Sequence, residues 1–242
     1  MERAPRQATC NLDWAYLGRM PYTAASRLQQ ALSAALVNGT GRPTLLLLEH
    51  SPTITLGRRS SSDEILVPRE KLAKLGVAVV ATSRGGGTTY HGPGQLVGYP
   101  VVDLGRLSLG ARAYVLRLAH ALQRTLRAHR IDTEWSDEHP GLWLARSGQP
   151  EKIVSLGVHV RRNIATHGFA LNVQPELAAF EMIVPCGIQG SRMISMASVS
   201  GELWELPALA SEVAASVAEA LGLAPREVPP EHMTLATDFD TR

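Results

Sequence analysis

"RGGGTTYHGPGQLVGYP", Arg84 to Pro100, is the densest signal in the chain: its first twelve residues hold five glycines, a proline, a histidine and an arginine. Backbone that open lets a ligand approach closely or offers N–H donors to an anion; a long turn kept flexible by glycine is the structural alternative. The stretch lacks the Gly-Lys-Ser/Thr ending of a P-loop and contains no GxGxxG, so nucleotide phosphate binding is poorly supported. "VAVVAT" before it, from Val77, and "QLVGYPVV" inside and after it, from Gln95, read as strands that a turn-rich segment connects.

Outward from this centre the pattern alternates. "PTLLLLEH" from Pro43 and "TITLG" from Thr53 read as short strands, and Pro68 opens a brief helix that Gly76 closes. Ala24, Leu28, Ala31, Leu32, Ala35 and Leu36 fall at helical spacing between Tyr22 and Val37. Val115, Leu118, Ala119, Leu122 and Leu126 do the same between Ser108 and Arg130. Leu142 to Ala145, Lys152 to Val160 and Ile164 to Val173 read as consecutive strands, with "RSGQPE" as the first turn. A last helix uses Leu206, Leu209, Ala210, Val213, Val217 and Leu221 and stops at Gly222. This predicts one mixed α/β domain over residues 1–242, with 223–242 an irregular tail.

The 242 residues are 45% apolar and carry a formal charge of +2, ordinary values for a globular protein and too mild to argue for nucleic acid. The two cysteines, Cys10 and Cys186, cannot build a disulfide framework and lack the spaced partners of a zinc site. With no apolar run of signal-peptide or membrane-span length, the expectation is a cytoplasmic protein off the membrane.

Three residues carry chemistry. Cys186 sits in "IVPCGI", between the residue that most constrains a backbone and the one that most frees it; Cys10 reads as structural. Strand alternation puts Lys152 on a face with Val154, Leu156, Val158 and Val160, unless it snorkels from the strand start or Gly157 bulges the strand. The same count groups His167 with Phe169, Leu171 and Val173. Buried ionisable groups are costly and tend to mark sites. A cation near a thiol raises its thiolate fraction, and a desolvated amine serves as a proton acceptor, so cysteine and lysine together suit acyl transfer.

These blocks resemble the octanoyltransferases of lipoate biosynthesis. The resemblance rests on "LLEHSPTITLGRRS" (47–60), "RGGGTTYHGPGQLVGYP" (84–100), "KIVSLGVHVRRNIATHGFALNV" (152–173) and "PCGI" (185–188), in family order. It implies the α/β fold shared with the catalytic domains of lipoate and biotin protein ligases, mixed sheets flanked by helices. It implies transfer of an octanoyl group from acyl carrier protein to a lysine of lipoyl domains, those of 2-oxoacid dehydrogenase complexes and the glycine-cleavage H protein, with no cofactor or metal. By the same resemblance Cys186 is the nucleophile and Lys152 its partner. The acyl pocket comprises Arg84, Gly85, Gly86, Gly87, Thr88, Thr89, Tyr90 and His91, with Ser155, Leu156, Gly157, Gly168, Phe169 and Ala170; His167 is a supporting residue. The roles of His91 and His167, proton relay or pocket shape, stay open. Two arginine pairs, Arg58 with Arg59 and Arg161 with Arg162, are candidates for facing an acidic carrier protein.

The nearest rival is an ATP-dependent lipoate or biotin ligase, which needs no cysteine nucleophile. A non-catalytic binder would need neither Cys186 nor Lys152, and the "CGSCW"-type signature of papain-like hydrolases is absent.

Overall fold

The computed structural model describes residues 10–145, 150–184 and 192–234. In chain order these form strand β1 (Asn11–Met20), helix α1 (Tyr22–Val37), β2 (Thr44–His50), β3 (Thr53–Leu56), α2 (Arg69–Lys74), β4 (Ala78–Ala81), β5 (Thr88–His91), β6 (Gln95–Asp103) and α3 (Ala111–Ala128). The second half adds β7 (Thr133–Trp135), β8 (Gly141–Leu144), β9 (Glu151–Arg161), β10 (Ile164–Asn172), β11 (Arg192–Met193), α4 (Met196–Ser200), α5 (Leu206–Leu221), β12 (Ala224–Glu227) and α6 (Pro230–Thr234).

Among the described residues a nine-stranded sheet runs in the order β12-β1-β2-β6-β10-β9-β8-β7, with β11 beside β9. Its β12, β1 and β2 are parallel, and the rest of the row from β2 to β7 is antiparallel. A three-stranded sheet, β4-β3-β5, stands apart. The run of leucines explains why β2 lies deep: Leu45 and Leu47 join the core beneath α3 and α5, Leu46 and Leu48 the core beneath α1, and all four are fully buried. A strand covered on both faces reads as an unbroken apolar run. The result is the expected mixed α/β domain, its main sheet covered by α1 on one face and by α3 and α5 on the other.

α1 spans the expected Tyr22–Val37, although its inward face is Tyr22, Ala25, Leu28, Gln29, Leu32 and Leu36. Gly222 ends α5 with φ +73, as its stop signal requires. Three elements depart from expectation. β1 has no counterpart in the sequence reading, because Arg19 and Asp13 interrupt its apolar pattern; Asp13 is held by the Arg226 guanidinium at 2.6 Å. The glycine-rich stretch is in part strand, since Thr88–His91 pair with β3. Residues 223–242 are not wholly an irregular tail: β12 extends the sheet beside β1, and Met233 of α6 is buried. A strand held mainly by its neighbours across the sheet leaves little trace in local sequence. Residues 146–149, most of the expected first turn, and 235–242 lie outside the described set.

Candidate active site

The hairpin of β9 and β10 forms the floor of the site. Its turn is Arg162–Asn163, with φ of +50 and +63, the two positive angles of the tight turn that suits strand twist. No bulge occurs at Gly157, which pairs in register with Gly168. The irregularity is at the other end: register between β8 and β9 shifts between Leu142 and Trp143, and consecutive Ile153 and Val154 both enter the α3–α5 core. Alternation therefore fails to carry across to Lys152. Nor does Lys152 snorkel: it is 1% exposed, and its Nζ lies 4.9 Å from the centre of the Trp143 ring.

Over this floor lies the glycine-rich segment. Gly85 N donates to Val158 O at 3.0 Å, and a Cβ on Gly157 would sit 2.9 Å from Gly85 O, so the loop can lie this flat only on a glycine. Arg84 is pinned beneath it. Its guanidinium donates to Thr55 Oγ1 at 2.8 and 3.1 Å, to Thr55 O at 2.7 Å and to Gly85 O at 3.1 Å. Alternation in β5 then divides the expected pocket residues. Thr89 and His91 line a narrow slot, whereas Tyr90 packs against Phe180 in the small-sheet core and Thr88 N donates to Glu64 Oε2.

The slot, about 40 Å³, brings together Arg84, Gly86, Thr89, His91, Lys152, Ser155, Leu156, Gly157, His167, Gly168, Phe169 and Ala170. At Lys152, Gly86, Leu156, Gly157 and Pro140 it opens into a cleft of about 1060 Å³, which Gly85, Gly87, Arg58, Arg59 and Glu64 also border. Thr88 and Tyr90 stand outside the slot lining, turned away by strand parity. Cys186 lies outside the described residues. Cys10 is exposed.

Tyr22, Tyr99 and Pro140 line the slot without having been singled out in the sequence, and His50 stands behind it. Helical spacing places Tyr22 on the inward face of α1; His50 and Tyr99 fall inside the 47–60 and 84–100 blocks without any spacing that singles them out, and nothing local marks Pro140. His50 Nδ1 donates to Met20 O at 3.1 Å, so Nε2 accepts the Tyr99 hydroxyl at 2.7 Å. Gln95 Nε2 donates to Asn172 Oδ1, so Gln95 Oε1 accepts from His91 Nδ1 at 2.7 Å. Burial lowers His50 and His167 to about 4, and burial, with His50 and Arg84 nearby, holds His91 well below the usual imidazole range. Burial also raises Tyr22 and Tyr99. The inner slot is thus lined by neutral imidazoles and phenols, with Arg84 as its fixed cation.

His167 breaks the alternation of β10. Phe169, Leu171 and Val173 enter the α3–α5 core as counted, but His167 adopts φ +56 and turns its ring toward Tyr22 and Ser83. A left-handed residue redirects its side chain out of the strand's two-fold pattern.

The sequence signature of the lipoyl protein ligase A/B catalytic domain matches residues 21–218. An octanoyltransferase of Chloroflexus aurantiacus is 41% identical over 212 residues, covering 87% of this chain and 94% of that one. One from Acidobacterium capsulatum is 42% identical over 210 residues, 83% and 84% of the two chains. Among solved structures, lipoate-protein ligase A bound with ATP superposes with a TM-score of 0.68 at 16% identity, over 96% of this chain and 95% of that one. The bipartite lipoate protein ligase of Thermoplasma acidophilum gives 0.69 at 16% identity, over 96% and 93%. At such identity these two establish the fold alone, while the curated relatives carry the activity: the chain belongs to the lipoyl protein ligase A/B catalytic-domain family, among its octanoyltransferases.

Proposed function

We propose that the enzyme takes the octanoyl group from octanoyl-acyl carrier protein onto Cys186 as a thioester and passes it to a lysine of lipoyl domains, those of 2-oxoacid dehydrogenase complexes and the glycine-cleavage H protein. The carrying observation is Lys152, buried where the slot meets the cleft. Chain connectivity adds support. Val184 N donates to Glu64 O at 2.8 Å on the cleft wall, and Met193 pairs with Lys152. In the sequence Val184 and Met193 flank the stretch that contains Cys186. We assign the protein to the cytoplasm, where a catalytic thiol stays reduced.

In the first step the Cys186 thiolate attacks the thioester carbonyl, the bond to the carrier sulfur breaks, and the Lys152 ammonium protonates the departing thiolate. In the second, the neutral Lys152 amine takes a proton from the acceptor amine as its nitrogen attacks. The amide forms, the Cys186 C–S bond breaks, and thiolate and ammonium are restored. Thioester exchange is nearly isoenergetic and the amide is more stable, so no ATP is consumed. Burial of each methylene in the slot contributes about 0.8 kcal/mol toward holding the chain.

Intact mass spectrometry without ATP tests this. Wild type mixed with octanoyl-acyl carrier protein gains one octanoyl group, which moves to an added lipoyl domain; Cys186→Ser gains none. Lys152→Met forms and discharges the adduct at least a hundredfold more slowly, the scale of general acid–base catalysis. Octanoylation of the domain by Cys186→Ser at the wild-type rate would overturn the thioester mechanism.

A further inference from the structure

Behind the slot lies a second cavity, about 460 Å³, between α1 and the β9–β10 hairpin, bordered by Gln29, Ser33, Ser83, Arg161, Thr166 and His167. Among the described residues His167 alone lines both cavities. Its Nδ1 is 3.5 Å from the Tyr22 hydroxyl, which lines the slot, and its Nε2 is 3.1 Å from Ser83 Oγ, which borders the groove. The Tyr99 ring meets it edge-on, with centroids 6.2 Å apart. The imidazole is a partition between an acyl slot and a polar groove.

Its position along the hairpin fits that role. His167 pairs with Val158; Lys152 Nζ reaches the level of Gly141, which pairs with Ser155, and the three residues of strand from Ser155 to Val158 span about 10 Å, close to the extended length of an eight-carbon chain. An acyl chain whose carbonyl is held at Lys152 runs past Leu156, Gly157 and Phe169 toward the ring. Beyond the ring the surroundings are unsuited to a methyl terminus: Arg161 borders the groove, and Gln29 Nε2 is buried without a hydrogen-bond partner among the described residues. We infer that His167 is the end wall that limits the length of the transferred acyl chain. This rests on the acyl-transfer reading above and adds to it the residue that sets specificity.

The backbone makes the test clean. His167 N donates to Gln29 Oε1 at 2.7 Å, a bond that needs no side chain, and the left-handed angle is one that glycine adopts freely. His167→Gly therefore opens the wall while keeping the strand, and His167→Asn, tolerated at such angles, opens it partway. The experiment measures kcat/KM for octanoyl-, decanoyl- and dodecanoyl-acyl carrier protein with one lipoyl domain, beside the thermal midpoint of each variant. In His167→Gly the dodecanoyl-to-octanoyl ratio rises by about tenfold or more, the discrimination that one methylene of pocket wall is worth; His167→Asn gives a smaller rise. Folded variants of either kind with the wild-type length profile would overturn the inference. A wild-type protein that transfers no acyl group from the carrier would sink the functional reading instead, a separable outcome.

Discussion

Lys152 and Gly141 occupy each other's space. A Cβ on Gly141 would lie 3.0 Å from Lys152 Nζ and 2.6 Å from Val154 O, and Gly141 has φ +153. The glycine is what lets the lysine fold down against Trp143. Gly141→Ala displaces the lysine or the strand, a strain of about 1–3 kcal/mol, and turnover falls at least tenfold. Trp143→Leu leaves the backbone intact and removes a cation–π contact of about 0.5–2 kcal/mol. It lowers kcat at temperatures well below its thermal midpoint, where the variant is fully folded, and a wild-type kcat in the folded variant would show that Trp143 is merely structural.

Thr88 supplies a test of the pocket lining. Its side chain is fully buried, and Oγ1 has no hydrogen-bond partner among the described residues. Valine has the same shape and removes an unpaired hydroxyl, a change that is neutral or stabilising by up to about 1–3 kcal/mol. Thr88→Val therefore holds or raises the urea midpoint and leaves kcat/KM unchanged. A fall in kcat/KM alone would mean that the hydroxyl meets the substrate.

The buried histidines make stability depend on pH. His50 and His167 are held at about 4 and His91 well below its usual value, against about 6.5 in the unfolded chain. Between these values the unfolded chain binds protons that the native one refuses. Their contribution is therefore complete above about pH 6.5 and is lost as pH falls toward 4, at up to about 1.4 kcal/mol per pH unit for each histidine. Urea titrations at pH 7.5, 6 and 5 should show that decline, and His50→Gln should flatten it by about one proton's slope. Equal wild-type stability at pH 7.5 and 5 would contradict it.

The two arginine pairs separate. Arg58 N and Arg59 N donate to Arg84 O and Gly86 O, each at 3.0 Å, which holds this exposed pair on the cleft. Arg161 and Arg162 border the groove behind His167. Reversing Arg58 and Arg59 to Glu raises KM for the carrier-bound donor at low salt, an effect that shrinks as salt screens it. Reversal of Arg161 and Arg162 leaves KM unchanged. Equal effects would mean that the carrier spans both faces.

The sequence by itself determined the elements with strong local signals. Apolar runs marked β2 and β9, helical periodicity marked α1, α3 and α5, and the glycine, lysine and cysteine blocks marked the octanoyltransferase family. Only the tertiary structure decided which side chains meet. The shift beside Ile153, the left-handed angle at His167 and the short β5 each change strand parity or interrupt it, and parity decides which face a side chain occupies. Gly141, Trp143, Tyr99 and His50 reach the site through pairing and packing between segments distant in sequence, and no local pattern records a contact of that kind. The strands β1 and β12 were hidden for the same reason: their stability comes from neighbours across the sheet, not from their own residues.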